Sequence, residues 1–283
     1  MAYTPATQPE PLRQRLARSL HLYRAAFPRV IVISLVLSIV AFMQRIIVLV
    51  AGQNPFANLP QGSVERLWLI LFDIIVLVLF TVVLWRIRCV MENYFESLQN
   101  DLSNTFKKMP RIIGAALVET GLSLCLFFML VGVIYFMRDQ NLFQTTDRLK
   151  MVFFVMPLLA QICLNIFIYV LLIFYLPLIL TENKHIFEAL GKSAGLVWGN
   201  WWRTFITLAC PWCVYYLTLV VMKNVFQINI PISLFEIPHI TLFATIMQIL
   251  VFALFVSWFA ATVLVQLKDL ELRKKKRVGT LLT

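Results

Sequence analysis

The chain is predicted to be an all-α membrane protein of six transmembrane helices, arranged as three repeats of an amphipathic cytoplasmic helix plus a transmembrane hairpin. Three observations lead there. Hydrophobic residues fill 60% of the 283 positions and charged residues only 14%, with a mean hydropathy of +0.82, which is too apolar a mixture for a soluble domain. The apolar residues gather into six runs of membrane length, a span taking about 20 residues. Lysine and arginine total nineteen in the two terminal segments with the second and fourth connections, and five in the other three connections. A single polytopic domain, 1–283, accounts for the length and leaves no room for a separate soluble domain.

In order, residues 1–11, MAYTPATQPEP, are polar and proline-containing, and their tip is expected to be disordered. The first apolar run begins near Val30, exceeds a signal-peptide core in length and lacks a small-residue cleavage site after it, so it is expected to remain as a span. Spans are placed at 30–50, 67–85, 112–137, 151–180, 204–222 and 240–267, the fourth and sixth long enough to tilt or project from the bilayer. The connection 223–239 is unusually apolar and is expected on the membrane surface. Nineteen Lys and Arg fall in the terminal segments and the second and fourth connections, against five on the alternate side, with Arg45 inside a span. Both termini are therefore expected to be cytoplasmic. The net charge of +11 reads as membrane topology rather than as a nucleic-acid footprint.

Internal repetition gives the units 12–90, 91–180 and 183–267, with a basic cytoplasmic tail at 268–283. Segments 12–29, 94–111 and 186–203 align without a gap: Leu16, Leu98 and Leu190 match, as do Phe27, Met109 and Trp201, and then Arg29, Arg111 and Arg203. Pro28 matches Pro110, whereas the third copy has Trp202. In the second copy Met91, Tyr94, Phe95, Leu98, Leu102, Phe106 and Met109 fall on one helical face. Each such helix is expected in the membrane interface. Arg29, Arg111 and Arg203 would then sit at headgroup level, binding lipid phosphates or simply marking the cytoplasmic end of a span. Trp198, Trp201 and Trp202 fit an aromatic belt at the same level.

Ionisable residues inside spans are costly and so point to function or to pairing. Arg45 lies about 8 Å and Asp73 about 9 Å below the same surface, at 1.5 Å per residue, so a structural ion pair between them is expected. Glu119 lies about 12 Å deep in the third span with no basic residue at its level. It is expected to be protonated, to bond Asn165 or Gln161 of the fourth span, or to line a polar cavity. Gly114, Ala115, Gly121 and Ser123 would permit close helix approach. Pro157, Pro177 and Pro211 would permit kinks or unwinding.

Cys210-Pro211-Trp212-Cys213 places two thiols on consecutive turns of one helix. A reactive pair needs a cation or helix N-terminus beside it, whereas this one lies inside a span without a βαβ setting. Cys89, Cys125 and Cys163 are scattered, and His21, His185 and His239 lie far apart near span ends, so no metal site and no cofactor are expected. Phosphate-loop, zincin and nucleophile-elbow patterns do not occur.

Leu176-Pro177-Leu178-Ile179-Leu180, Ile186-Phe187-Glu188-Ala189-Leu190, Lys192-Ser193 and Leu196-Val197-Trp198-Gly199-Asn200-Trp201-Trp202-Arg203 resemble the corresponding region of YciC-type bacterial inner-membrane proteins. They are also similar to the membrane portion of some glycerophosphodiester phosphodiesterases. The resemblance implies six helices in a bacterial cytoplasmic membrane and no established activity for the module. The phosphodiesterase barrel has no counterpart in the chain, so no catalytic residue carries over. The expected function is non-enzymatic: envelope maintenance, scaffolding or assembly through contacts with membrane lipids, other membrane proteins or further copies of itself. The alternatives are a transporter or channel subunit for a small or lipid-like substrate, with Glu119 at a water-reachable cavity, and a membrane thiol oxidoreductase using Cys210 and Cys213.

Overall fold

The structure, a computed structural model, describes residues 3–51, 64–94, 97–139, 147–228, 230 and 241–281. Among them nine helices follow one another: α1 (Leu12–Ala41), α2 (Met43–Ala51), α3 (Val64–Met91), α4 (Leu98–Asp139), α5 (Asp147–Leu172), α6 (Tyr175–Glu182), α7 (Ile186–Val197), α8 (Trp201–Asn224) and α9 (Leu242–Leu281). The described residues form no strand. Among the described residues six stretches are long and apolar enough to cross a membrane: Leu12–Ala41, Ile70–Met91, Gln99–Gly132, Met156–Glu182, Trp201–Asn224 and Leu242–Arg277. The chain is thus an all-α, multi-pass membrane protein. Most of the apolar connection 223–239, including His239, lies outside the described residues.

Local chemistry explains where the helices continue and where they break. In the first two aligned segments the amphipathic part is not a separate helix, because α1 runs through Pro28 and α4 through Pro110. Proline's fixed φ is helical, and its missing N–H removes a single ladder bond. In the third, α7 and α8 are separate, and Gly199 between them has φ 81°, a left-handed conformation that a residue with Cβ adopts only at a cost. The fourth span is interrupted at Ile173 and Phe174. Pro177 has no N–H to donate to the Ile173 carbonyl, and the ladder restarts with the Leu178 N–H donating to the Phe174 carbonyl at 3.0 Å.

The chain divides into two compact units, Met1–Met109 with Trp202–Thr283, and Pro110–Trp201. The first is built on α9, which packs against α1, α3 and α2. Ala253, Val256, Ser257, Phe259 and every residue from Ala260 to Leu267 on α9 are buried, the all-round burial of a helix enclosed by others. On α1, Leu22, Ala26, Val30, Ile33 and Leu37 are buried, spaced three and four apart so that they form one face. Ser34 and Ser257 hydrogen-bond across this seam at 2.6 Å.

In the second unit α7 packs against α6 and α5 through Ala189, Leu190, Ser193, Leu196 and Val197, all buried. The Ser193 hydroxyl donates to the Leu171 carbonyl at 2.8 Å, satisfying an acceptor that the end of α5 leaves open. Here α4 and α5 expose most of their apolar side chains, including Leu117, Phe127, Phe128, Met129, Leu158 and Ile162.

Candidate functional site

In the first unit the N-terminal arm, the beginnings of α1 and α8 and the end of α9 meet around Asp269. This carboxylate is 2% exposed. It accepts from Arg273 Nε at 2.8 Å and from the Glu10 backbone N–H at 2.8 Å, and Arg203 and Arg15 stand 3.7 and 3.9 Å from it. Arg15 is 1% exposed and donates to Gln266 Oε1, while Gln266 Nε2 donates to Thr204 Oγ1 at 3.2 Å. The Glu10 carbonyl accepts from both Arg203 and Arg273. Glu10's carboxylate takes a two-pronged contact from Arg18, the geometry that suits guanidinium. Arg15 Nε and Arg203 Nε are buried without a hydrogen-bond partner. Four guanidiniums therefore face two carboxylates, and the cluster retains an excess of positive charge.

The arm is tied down from Tyr3 onward, and the first two residues, at the tip expected to be disordered, lie outside the described residues. Tyr3 is buried against His21, ring centroids 6.2 Å apart, and Arg18 donates to the Thr4 carbonyl at 2.5 Å. Burial raises the Tyr3 phenol above its ordinary pKa, against the pull of the Arg18 cation. Beyond the cluster, the arm and the last turns of α9 enclose a cleft of about 780 Å³ lined by Thr7, Gln8, Pro9, Leu272, Arg273, Lys275, Lys276 and Arg277. Sequence reasoning missed Glu10, Arg15, Gln266, Asp269 and Arg273 as a group. The available signal was Asp269, an acid inside a basic segment and four residues ahead of Arg273 on one helix face.

A second buried carboxylate, Asp101 at 2% exposure, accepts from Arg86 Nε at 2.8 Å and Trp85 Nε1 at 3.1 Å. Arg86 also donates to the Arg29 carbonyl at 3.0 Å, so this knot ties α3, α4 and α1 together. The structure does not form the expected Arg45–Asp73 pair. Arg45 donates to Gln248 Oε1 of α9 at 2.6 Å and lies over the Phe42 ring, whereas Asp73 is exposed. Equal depth does not imply facing sides, and α1 gives way at Phe42 to α2, which contacts α9.

In the second unit Glu119 is hydrogen-bonded by Tyr175 of α6 and lies in the field of Tyr169. It does not meet its two expected partners. Asn165 accepts from Ser123 at 3.0 Å, which fixes the level of α5 against α4. One turn along, Tyr169 is near Glu119. Gln161 is buried, and its Nε2 has no hydrogen-bond partner. Of the small residues on α4, Ala115 is buried and Gly114 faces Ile186, whose Cδ1 stands 2.6 Å from where a Cβ would be, whereas Gly121 has nothing within 4 Å.

The residues expected at headgroup level divide. Trp198 and Trp202 are both 70% exposed, but Trp201 stacks on Phe167 at 5.5 Å. Arg111 donates to the carbonyl and Oδ1 of Asn183 at 3.1 and 2.8 Å, capping α6, whose C-cap Asn183 is left-handed at φ 54°. Arg203 belongs to the Asp269 cluster, and Arg29 is exposed. Cys210 and Cys213 are free thiols on α8, the second of them exposed. No protein-family model, curated protein or solved structure matches this chain, so its relationships rest on its own residues.

Proposed function

We propose that the chain is a YciC-type protein of a bacterial cytoplasmic membrane, with both termini in the cytoplasm, that works without chemistry of its own. It would serve envelope maintenance, scaffolding or assembly through lipid and protein contacts. The observation that carries this reading is the division of labour among its residues. Polar groups at span level tie helix to helix, as Arg45 does to Gln248, Ser34 to Ser257 and Ser123 to Asn165, while the apolar faces of α4 and α5 are left for lipid or partner helices. The excess of Lys and Arg in alternate connections supports the orientation.

A triplicated origin is supported by contacts that recur in register. Ser19, Asp101 and Ser193 align and are all buried. Each pairs with the second span of the copy before it, the third copy serving the first: Trp258 of α9 donates to Ser19 at 3.1 Å, Trp85 of α3 to Asp101 at 3.1 Å, and Ser193 to Leu171 of α5 at 2.8 Å. Arg111 and Arg203, also aligned, donate to carbonyls just ahead of the next amphipathic segment, at Asn183 and Glu10. The chain also passes between its two compact units at Met109/Pro110 and Trp201/Trp202, the same register in the second and third copies.

A transporter is the second reading, favoured by Glu119 with Tyr175 and by the unpartnered Gln161 amide within apolar spans. One experiment separates the two. Glu119→Cys, in a background lacking the five native cysteines, is treated with a membrane-impermeant thiol reagent in inside-out vesicles. Scaffolding predicts no labelling while Lys107→Cys reacts. Labelling at 119 would mean a water-filled path from the cytoplasm and would overturn the scaffold reading in favour of transport.

A further inference from the structure

The cleft between the N-terminal arm and the end of α9 has the chemistry of an anion site. Its lining holds four cations, Arg273, Lys275, Lys276 and Arg277, two neutral polar residues, Thr7 and Gln8, and no carboxylate. Arg273 has Lys276 and Arg277 three and four residues on, so like charges share one helix face and repel. Helix-end electrostatics do not account for them. The dipole effect is confined to the last turn, and the last turn of α9 carries no basic residue.

The opposite wall is fixed. Glu10, next to Pro9 of the lining, is held by Asp269, Arg203 and Arg273, so the cleft is shaped before any ligand arrives. The adjoining Asp269 cluster shares Arg273 with the cleft and adds Arg15 and Arg203 around the same carboxylate, with Arg15 Nε buried and without a hydrogen-bond partner. At 1.5 Å per residue Leu272 lies about 8 Å beyond the end of the apolar run at Leu267, at the depth of lipid headgroups. Phosphate carried by a lipid or by a soluble molecule can therefore reach it.

We propose that this cleft binds a phosphate-type oxyanion, presented either by an anionic lipid headgroup or by a soluble phosphorylated molecule. The proposal does not depend on scaffolding or on the orientation of the chain, because it is tested on purified protein open to both sides.

The full chain is placed in phosphatidylcholine nanodiscs and titrated calorimetrically with inorganic pyrophosphate. In parallel, detergent-solubilised chain is offered phosphatidylglycerol and phosphatidylcholine, and retained lipid is counted by native mass spectrometry. Pyrophosphate binding identifies a soluble source, and selective retention of phosphatidylglycerol identifies a lipid source. Whichever arm responds, Lys275→Gln/Lys276→Gln/Arg277→Gln is expected to weaken binding on the order of 100-fold, roughly a factor of five per cation. Arg13→Gln/Arg24→Gln/Lys107→Gln, with the same charge change at exposed positions elsewhere, is expected to weaken it less than about threefold. Removal of residues 2–9, leaving Glu10 in place, is expected to abolish binding as well. If that variant does not fold, Thr7→Glu/Gln8→Glu puts the same question to the arm wall. Equal losses in the two triple variants, full binding without the arm or with its two carboxylates, or no selective binding in either arm would overturn the site.

Discussion

α4 and α9 are nearly equal in length, 42 and 40 residues, and their spans are similar in mean hydropathy, 2.0 and 2.3. Yet 72% of the apolar window of α9 is buried inside the protein and only 11% of that of α4. Hydropathy measures the preference for oil over water, and in a bilayer lipid and protein interior are equally apolar. α9 carries Ala253, Ser257, Ala260, Ala261 and Thr262 along its buried length, whereas α4 presents Leu117, Leu122, Leu124, Phe127, Phe128 and Met129 outward. Small residues let backbones approach, and large ones face lipid.

The sharpest way to break this contrast is at the end of α9. Asp269→Ala leaves Arg15, 1% exposed, beside Arg203 and Arg273 without a carboxylate. Removing one partner of a buried ion pair costs about 3–5 kcal/mol, so unfolding of the purified chain in micelles, followed by tryptophan fluorescence, should shift by that amount. A shift below about 1 kcal/mol, the range of exposed pairs, would mean that the cluster is solvated and that α9 is not held at this end.

A pair of substitutions tests the helices directly. Ala260→Leu adds bulk where exposure is 0%, and overpacking costs about 1–3 kcal/mol. Gly121→Ala on α4 adds a methyl group where nothing lies within 4 Å of the Cβ position, so it should not destabilise, and the better helix propensity of alanine should raise stability by up to about 1 kcal/mol. Equal effects at the two positions would show that α4 is as enclosed as α9.

These differences set the limit of what was legible beforehand. The six apolar runs and their order are legible because a span needs a long uninterrupted apolar stretch, whereas the break before Pro177 is not, since α5 and α8 run through Pro157 and Pro211. The burial of α9 was not visible, because its composition is as oily as that of α4. The expected Arg45–Asp73 pair does not form, and Glu119 meets Tyr175 rather than Asn165 or Gln161, for a related reason. Depth can be counted from the ends of a run, but the direction in which a side chain points depends on packing, and Gln248 and Tyr175 come from helices far along the chain. Asp269 and Asp101 stand among basic residues in the sequence, and the burial of such a carboxylate becomes visible only once the arginines around it are in place.

Hydrogen bonds between spans give a finer test. Ser257→Ala removes the contact of α9 with Ser34, and Ser123→Ala removes that of α4 with Asn165. Interhelical bonds of this kind average about 0.6 kcal/mol in a membrane. Both losses should be small by the same unfolding measurement. The second leaves an amide on the exposed pair α4 and α5, where lipid offers no replacement partner, and should be the larger.

The smallest effect is expected at Glu188, on the exposed face of α7. Lys184 donates to its carboxylate, and this hydrogen bond, ahead of the opposing effect of desolvation, holds Glu188 below the usual carboxylate pKa. The sign follows from linkage: a carboxyl lowered on folding contributes stability above its unfolded pKa and loses that contribution as pH falls through the lowered value. Because the pair is exposed, the contribution will be hard to detect in unfolding experiments, but a carbon-13 carboxyl titration reads it directly. The Glu188 midpoint should lie below that of an isolated glutamate and return toward the ordinary value in Lys184→Gln. A midpoint that does not move would mean that the contact is lost in solution, and that the solvated connection between α6 and α7 lacks the fixed ion pairing that holds Asp269 in the first unit.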